Sequence, residues 1–351
     1  MRRWALRVLG GLALLVALAA LLPVVLGTRE RPAPDRVPGH RTMVMTPPHR
    51  GEPVRLDVWY PATAGATRLL GQNALFYGHH VRPDAPAAEG AHPVVALSHG
   101  SGGNAAALGW LAGRIAAAGF VVVAPNHPGT MSRDSDPHRT PLVWERTGDV
   151  TAALDAVAGS DLGADLARVA AVGFSLGGHT ALAAAGVRVS KPAFIAYCER
   201  FPDRIDCGWM NAAGVDFAAI DARRYEADLR DGRIDAVAAI DGALPLAMTE
   251  ESLRALETPA LLVNLGVPED VPNGMRLDGV AARMPQATYL AVPGAHHFHA
   301  LAECSLLGKL VIALAGDDAI CSDAGGRDRG TVHAELASAV TSFLLESLGP
   351  V

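Results

Sequence analysis

The sequence predicts an α/β fold: a doubly wound, mostly parallel sheet with helices on both faces. Three observations predict it. From about residue 54, short β-rich apolar runs alternate with longer alanine-rich runs. Most of the short runs are apolar at nearly every position, the pattern of strands buried on both faces. The longer runs carry helix-ending signals such as Gly119. Right-handed crossovers between parallel strands then put helices on both sides of the sheet. At 351 residues with 50% hydrophobic composition, the chain is long enough to bury a large core.

The chain opens with "MRRWALRVLGGLALLVALAALLPVVLG", a cationic start followed by a charge-free run from Val8 to Gly27. As a helix that run would span about 30 Å, enough to cross a bilayer. Residues 1–27 read as an export signal, either retained as a membrane anchor or removed as a signal peptide; a buried core helix is the competing reading. The expected location is therefore membrane-anchored, periplasmic or extracellular. Residues 28–49, containing "TRERPAPDRVPGHR", read as a Pro-rich charged linker. The globular domain is expected over 50–351.

Within it, "VRLDVWYP" (54–61) alternates like a half-exposed strand. The runs at 94–98, 120–125, 169–174, 234–241, 259–266 and 288–294 read as buried strands. Helices are expected over 104–119, 143–160 and about 331–348. Residues 190–230 are too long for a simple crossover and read as a small helical cap inserted between two strands. A second excursion, "CSLLGKLVIALAGDDAICSDAGGRDRGTVHAEL", precedes the closing helix.

Acidic residues (36) outnumber basic ones (30), giving a net charge of −6, and no Lys/Arg cluster lies beyond the N-terminus. Nucleic acid is not an expected partner. The four cysteines form two sequence-local pairs, Cys198 with Cys207 and Cys304 with Cys321. An even number in an exported chain suggests two local disulfides, free buried thiols being the alternative. Neither pair has metal-ligand spacing.

The motif that carries chemistry is "AAVGFSLGGHTAL", residues 170–182. G-x-S-x-G between a buried strand and an alanine-rich helix places the serine on a tight turn, where Gly173 and Gly177 leave room that a Cβ would fill. Ser175 is the candidate nucleophile. A serine at its free pKa needs a base, expected late in the chain. "VPGAHHFHALAEC" offers His296, His297 and His299 after the last strand candidate; a metal site there would lack partnering ligands. His138 and His333 read as surface or helix residues. "LSHGSGGNA" (97–105) supplies a His-Gly turn that would aim the Ser101 amide at a tetrahedral oxyanion, with the Leu176 amide as second donor. For the orienting acid, Asp241 in "AAIDGALPL" and Asp270 in "LGVPEDVPNG" both keep the order Ser, Asp, His, with Glu269 a third candidate. Asp57, Asp149 and Asp155 precede the nucleophile and read as structural or surface residues.

From about residue 50 the chain resembles an α/β-hydrolase of the dienelactone hydrolase-like group, and within it the branch that includes platelet-activating factor acetylhydrolases. The resemblance rests on "SHGSGG", "AAGFVVVAPNHPG", "GFSLGG", an Asp closing the strand after the elbow, and "PGAHHF". It implies a Gly-x-x-His-Phe loop that selects His297, because Phe298 follows it, and it favours Asp241 because Pro268 occupies the slot where many relatives carry the acid. The implied activity is hydrolysis of carboxylic esters, whether short-chain, lactone or lipid-derived, with no cofactor and no metal. An acyltransferase using the same triad and an envelope-anchored binding module are the competing readings. The implied partners are an ester substrate and a membrane, met through the N-terminal segment.

Overall fold

The structure is a computed structural model, and it describes residues 33–315, 320–323 and 326–350. The apolar segment Val8–Gly27, and with it the expected anchor or signal, lies outside the described residues. Among the described residues no helix is long and apolar enough to cross a membrane.

The strands are β1 (Gly39–Met45), β2 (Val54–Tyr60), β3 (Arg68–Leu70), β4 (His79–Pro83), β5 (His92–Ser98), β6 (Val121–Pro125), β7 (Thr130–Met131), β8 (Asp134–Ser135), β9 (Ala164–Phe174), β10 (Ile234–Ile240), β11 (Ala260–Asn264) and β12 (Ala287–Ala291). The helices are α1 (Gly109–Ala117), α2 (Val143–Ala158), α3 (Leu176–Ala185), α4 (Lys191–Arg200), α5 (Ile205–Ala212), α6 (Ala222–Tyr225), α7 (Glu250–Ala255), α8 (Asp278–Ala281), α9 (Leu306–Ala315) and α10 (Arg329–Leu348). Ten strands form one sheet in the order β12-β11-β10-β9-β5-β6-β2-β1-β4-β3, and β7 with β8 forms a small hairpin.

From β6 to β12 the neighbouring strands are parallel. Successive side chains of these strands divide between two apolar layers. Val94, Ala96, Val169, Ala171, Val237 and Ala239 pack toward the layer that holds α2, α3 and the cap. Val95, Leu97, Ala170, Val172, Ala236 and Ala238 pack toward α1 and α10. Both faces of the sheet are covered, which is why the strands read as continuous apolar runs; each buried Val or Leu contributes roughly 1.5–3 kcal/mol.

Three expectations change. β1 lies within the stretch read as a linker, and it pairs antiparallel with β2 from Gly39↔Tyr60 to Met45↔Val54, so the folded unit includes residues before 50. β2 is not half-exposed: only Arg55 faces solvent. β2 sits between β1 and β6, and its Asp57 is buried on hydrogen bonds from His40 (2.9 Å), Arg55 (2.8 Å) and Asn126 (2.9 Å). β12, read as buried, is half-exposed because it forms the sheet edge.

The expected helix over 104–119 begins as a 3₁₀ turn, Ala105–Leu108, because the Asn104 side chain caps Ala107 N. It then runs as α1 and stops at Gly119, whose φ of 114° suits glycine. The cap comprises α4, α5, a 3₁₀ turn and α6, with Cys198 and Cys207 disulfide-bonded. Cys304 and Cys321 are bonded as well, their Cα atoms 5.6 Å apart.

Candidate active site

The parallel register brings the chemistry-bearing residues to one edge. Gly173 and Phe174 at the end of β9 lie opposite Ala239 and Ile240 of β10, and Ser98 at the end of β5 lies opposite Gly173. The segments leaving the carboxyl ends of β5, β9, β10, β11 and β12 therefore emerge side by side.

Ser175 stands between β9 and α3 with φ 56° and ψ −124°, a conformation few non-glycine residues adopt. Its neighbours enforce it. An added Cβ on Gly173 would overlap the Gly177 carbonyl, and one on Gly177 would overlap the Ser98 carbonyl. The Ser175 amide donates to Ile240 O (2.9 Å), and its carbonyl accepts from Gly178 N (2.8 Å) and Ala243 N (3.0 Å). The turn is thus tied to β10 on both sides, and Ser175 remains partly exposed.

Asp241 directly follows β10, is 1% exposed and also has a positive φ, 44°. One carboxylate oxygen accepts from Asn264 Nδ2 (2.8 Å) and Leu265 N (2.9 Å). The other is 3.0 Å from His297 Nδ1. Asp270 and Glu269 are exposed and lie outside this cluster.

The His297 ring packs against Phe174, centroids 4.6 Å apart, which puts it beside the residue preceding Ser175. Among the described residues no hydrogen bond joins the Ser175 hydroxyl to His297; such contacts commonly close only around substrate. The other two histidines of the loop turn away. His299 Nδ1 accepts from His296 N (3.1 Å) and its Nε2 faces Arg327 O (3.3 Å), while His296 Nε2 faces Ser322 O (3.0 Å). Burial lowers the pKa of both.

Ser101 follows β5 and is exposed, and the adjoining Gly100 backbone passes so close that an added Cβ would lie 3.0 Å from Ser175 Cβ. The Gly100 carbonyl accepts from Gly103 N (3.1 Å) and faces His99 Nδ1 (2.7 Å). His99 Nε2 accepts from His127 N (3.2 Å), which fixes the proton on Nδ1. In a trans peptide the Ser101 N–H then points the opposite way from the Gly100 carbonyl. The Leu176 amide is the first of α3 and has no acceptor within the helix.

Beneath these turns lies a buried polar layer that the sequence did not reveal. Arg146 of α2 is 1% exposed and donates to the His99 carbonyl, to Ser98 Oγ (3.2 Å), to Thr130 Oγ1 (2.5 Å) and to Thr180 Oγ1 (3.1 Å). Ser98 Oγ also meets His127 Nε2 (2.9 Å), and His127 Nδ1 meets Asp149 Oδ2 (2.8 Å). Burial would raise the Asp149 pKa, but hydrogen bonds from His127, His49 and Arg50 outweigh it and hold the carboxyl far below the usual range. The signal in the sequence was an Arg and an Asp three residues apart on the largely apolar buried face of α2, with Thr147 between them. His333, read as a surface or helix residue, is buried in α10, stacked on Trp110 and donating to His299 O (2.7 Å).

A family model described as Chlorophyllase matches residues 80–196, one third of the chain, taking in the 98–101 turn and Ser175 but neither Asp241 nor His297. No curated protein matches the sequence. Among solved structures, a ferulic acid esterase from Streptomyces cinnamoneus has 18% identity, covers 93% of this chain and 95% of its own, and superimposes with a TM-score of 0.64. A butyrate-bound thermophilic esterase, Est2, from the Planctomycetes species Thermogutta terrifontis has 14% identity, covers 88% and 96%, and has a TM-score of 0.51. With its mostly parallel sheet, covered faces and strand-to-helix serine turn, the chain has the α/β-hydrolase fold.

Proposed function

We propose that this protein is a serine hydrolase of carboxylic esters, with Ser175 as nucleophile, His297 as general base and Asp241 as the acid that orients it. One observation carries the reading: the positive-φ turn at Ser175 lies on the same sheet edge as the Asp241–His297 hydrogen bond of 3.0 Å. Asp241 would accept a hydrogen bond from Nδ1–H, leaving the Nε2 lone pair free to take the proton from Ser175. The serine oxygen would attack the ester carbonyl, and the amides of Ser101 and Leu176 would receive the oxyanion. His297 would return its proton to the departing alcohol and then activate water to release the acyl group.

The reaction needs no metal or organic cofactor. Short-chain, lactone and lipid-derived esters all fit this chemistry, and a different acceptor in the second step would make the same site an acyltransferase. We further propose that residues 1–27 export the chain and hold it at a membrane, so that an ester presented near a bilayer is within reach.

The test is covalent labelling of the full-length chain with a fluorophosphonate, alongside hydrolysis of a panel of aryl and acyl esters. Ser175→Ala should lose all labelling and drop turnover by on the order of 10⁶. Persistent labelling in the variant would refute the nucleophile, and a folded wild-type chain that neither labels nor hydrolyses would be a binding module.

A further inference from the structure

The two amides proposed to receive the oxyanion belong to separate segments, the turn after β5 and the first turn of α3. Each must be held in place for both to converge on one oxygen. A single buried side chain touches both segments. The Arg146 guanidinium donates through Nη2 to the His99 carbonyl, two residues before the Ser101 amide. Through Nε it donates to Thr180 Oγ1 (3.1 Å), and Thr180 Oγ1 in turn donates to the Leu176 carbonyl (3.0 Å).

The remaining bonds tie Arg146 to two further segments. Ser98 Oγ and Thr130 Oγ1 also accept from it, and Thr130 caps the His127 carbonyl (3.3 Å). Donors and acceptors are consistent along the whole chain of contacts. His127 donates from Nδ1 to the Asp149 carboxylate, its Nε2 accepts from Ser98, and Ser98 still has a lone pair for Arg146. The relay ends on Asp149, whose carboxylate is itself paired with Arg50 (2.6 and 2.7 Å), so Arg146 is held by neutral acceptors and has no carboxylate of its own among the described residues. Burial lowers the Arg146 pKa to about 9, so the guanidinium stays charged at neutral pH. Burial likewise lowers that of His127 to about 3, which keeps its Nε2 an acceptor.

A serine, a histidine and an aspartate in hydrogen-bonded order would suggest a second catalytic site. Burial rules that out: Ser98, His127 and Asp149 are each at most 1% exposed. The relay has no substrate to meet, and its place directly below the two turns gives it a different task.

We infer that Arg146 is a positioning residue for the oxyanion hole, joining the 98–101 turn to the first turn of α3 so that the Ser101 and Leu176 amides converge. The inference rests on the proposed ester hydrolysis. A loosened hole should be felt where negative charge develops and not in ground-state binding. A misplacement of about 1 Å is enough to cost about 10²-fold in rate.

The experiment compares the full-length chain with Thr180→Val, Thr180→Ser, Arg146→Lys and Arg146→Met. It measures melting temperature, kcat and KM on one aryl ester, and affinity for a trifluoromethyl ketone, whose hemiketal oxygen occupies the hole. Thr180→Val severs only the link to α3 and should lower kcat by about 10- to 10²-fold with KM unchanged. Trifluoromethyl ketone affinity should fall by the same factor, and Thr180→Ser, which keeps the hydroxyl, should behave as wild type. Arg146→Lys retains the charge but not the fork, and should fall with Arg146→Met. Folded Thr180→Val protein with unchanged kcat and inhibitor affinity, or losses confined to KM or melting temperature, would overturn the inference; that variant decides even if the Arg146 variants fail to fold. A wild-type chain that takes no fluorophosphonate removes the proposed function and this inference with it, whereas a labelled wild type with unaffected variants removes this inference alone.

Discussion

Replacing Asp241 by Asn changes one atom in a site where every contact of the carboxylate is accounted for. One oxygen accepts from Asn264 Nδ2 and Leu265 N, and the other faces His297 Nδ1. The amide can satisfy the first two donors only by placing its oxygen on that side. Its NH₂ then points at His297 Nδ1, which must become an acceptor. The imidazole is driven into the tautomer protonated at Nε2, and in the proposed mechanism that nitrogen can then no longer take the proton from Ser175. Turnover should fall by on the order of 10⁴, equivalent to about 5.4 kcal/mol at 1.36 kcal/mol per decade. KM should barely change, because no substrate-binding surface is altered. Melting temperature should stay close to wild type, because volume is kept, two of the three hydrogen bonds are unchanged and the third is kept with its direction reversed. Steady-state hydrolysis of one aryl ester, with thermal melting as the folding control, measures this. Asp270→Asn is the paired control, and its exposure predicts near-wild-type rates. An Asp241→Asn protein within tenfold of wild type, or a large loss in the Asp270 variant instead, would refute the reasoning.

Two further outcomes follow from the buried layers. Burial holds the pKa of His79 and His333 at about 3 and that of His179 at about 4, so these side chains stay neutral in the fold while the unfolded chain protonates near 6.5. Their contribution is intact above that pH and is lost as pH falls from about 6.5 toward 3–4, each histidine steepening the decline by about 1.4 kcal/mol per pH unit. Urea unfolding at stepped pH should show it, and His179→Leu should flatten the slope and stabilise the protein at neutral pH by about 1–3 kcal/mol, because both ring nitrogens are buried with no hydrogen-bond partner among the described residues; an unchanged slope would contradict the burial argument. The disulfides close loops with sequence separations of 9 and 17, so removing either pair as a double Cys→Ser variant should cost about 3 kcal/mol. Four alkylatable thiols in protein recovered from an oxidising compartment would be the contrary result.

Local pattern carried the fold. Apart from Ser98, Asp235 and Asp241, the runs at 94–98, 169–174 and 234–241 are apolar on both alternating sets of positions, the pattern of a strand covered on both faces. The G-x-S-x-G turn was legible for the same reason: Gly173 and Gly177 are demanded by backbone atoms within a few residues or on the adjoining strand end. β2 and β12 were misjudged because burial depends on a strand's rank in the sheet, and β1 was overlooked because its polar half-exposed sequence resembles a linker until β2 pairs with it.

By itself, then, the sequence determined an α/β sheet, a serine on a strand-to-helix turn, a histidine-bearing loop after the last strand and two local cysteine pairs, all of which depend on near neighbours. The family resemblance leaned toward Asp241 over Asp270, but only the tertiary structure puts one of the two beside a histidine. The parallel register carries Asp241 from the end of β10 to within 3.0 Å of a histidine on the loop after β12, while Asp270 remains in solvent. Only the tertiary structure, too, showed Arg146 and the Ser98–His127–Asp149 relay. A charged side chain in the middle of a protein is stable only when distant segments supply its hydrogen bonds, and no local periodicity records which segments those will be.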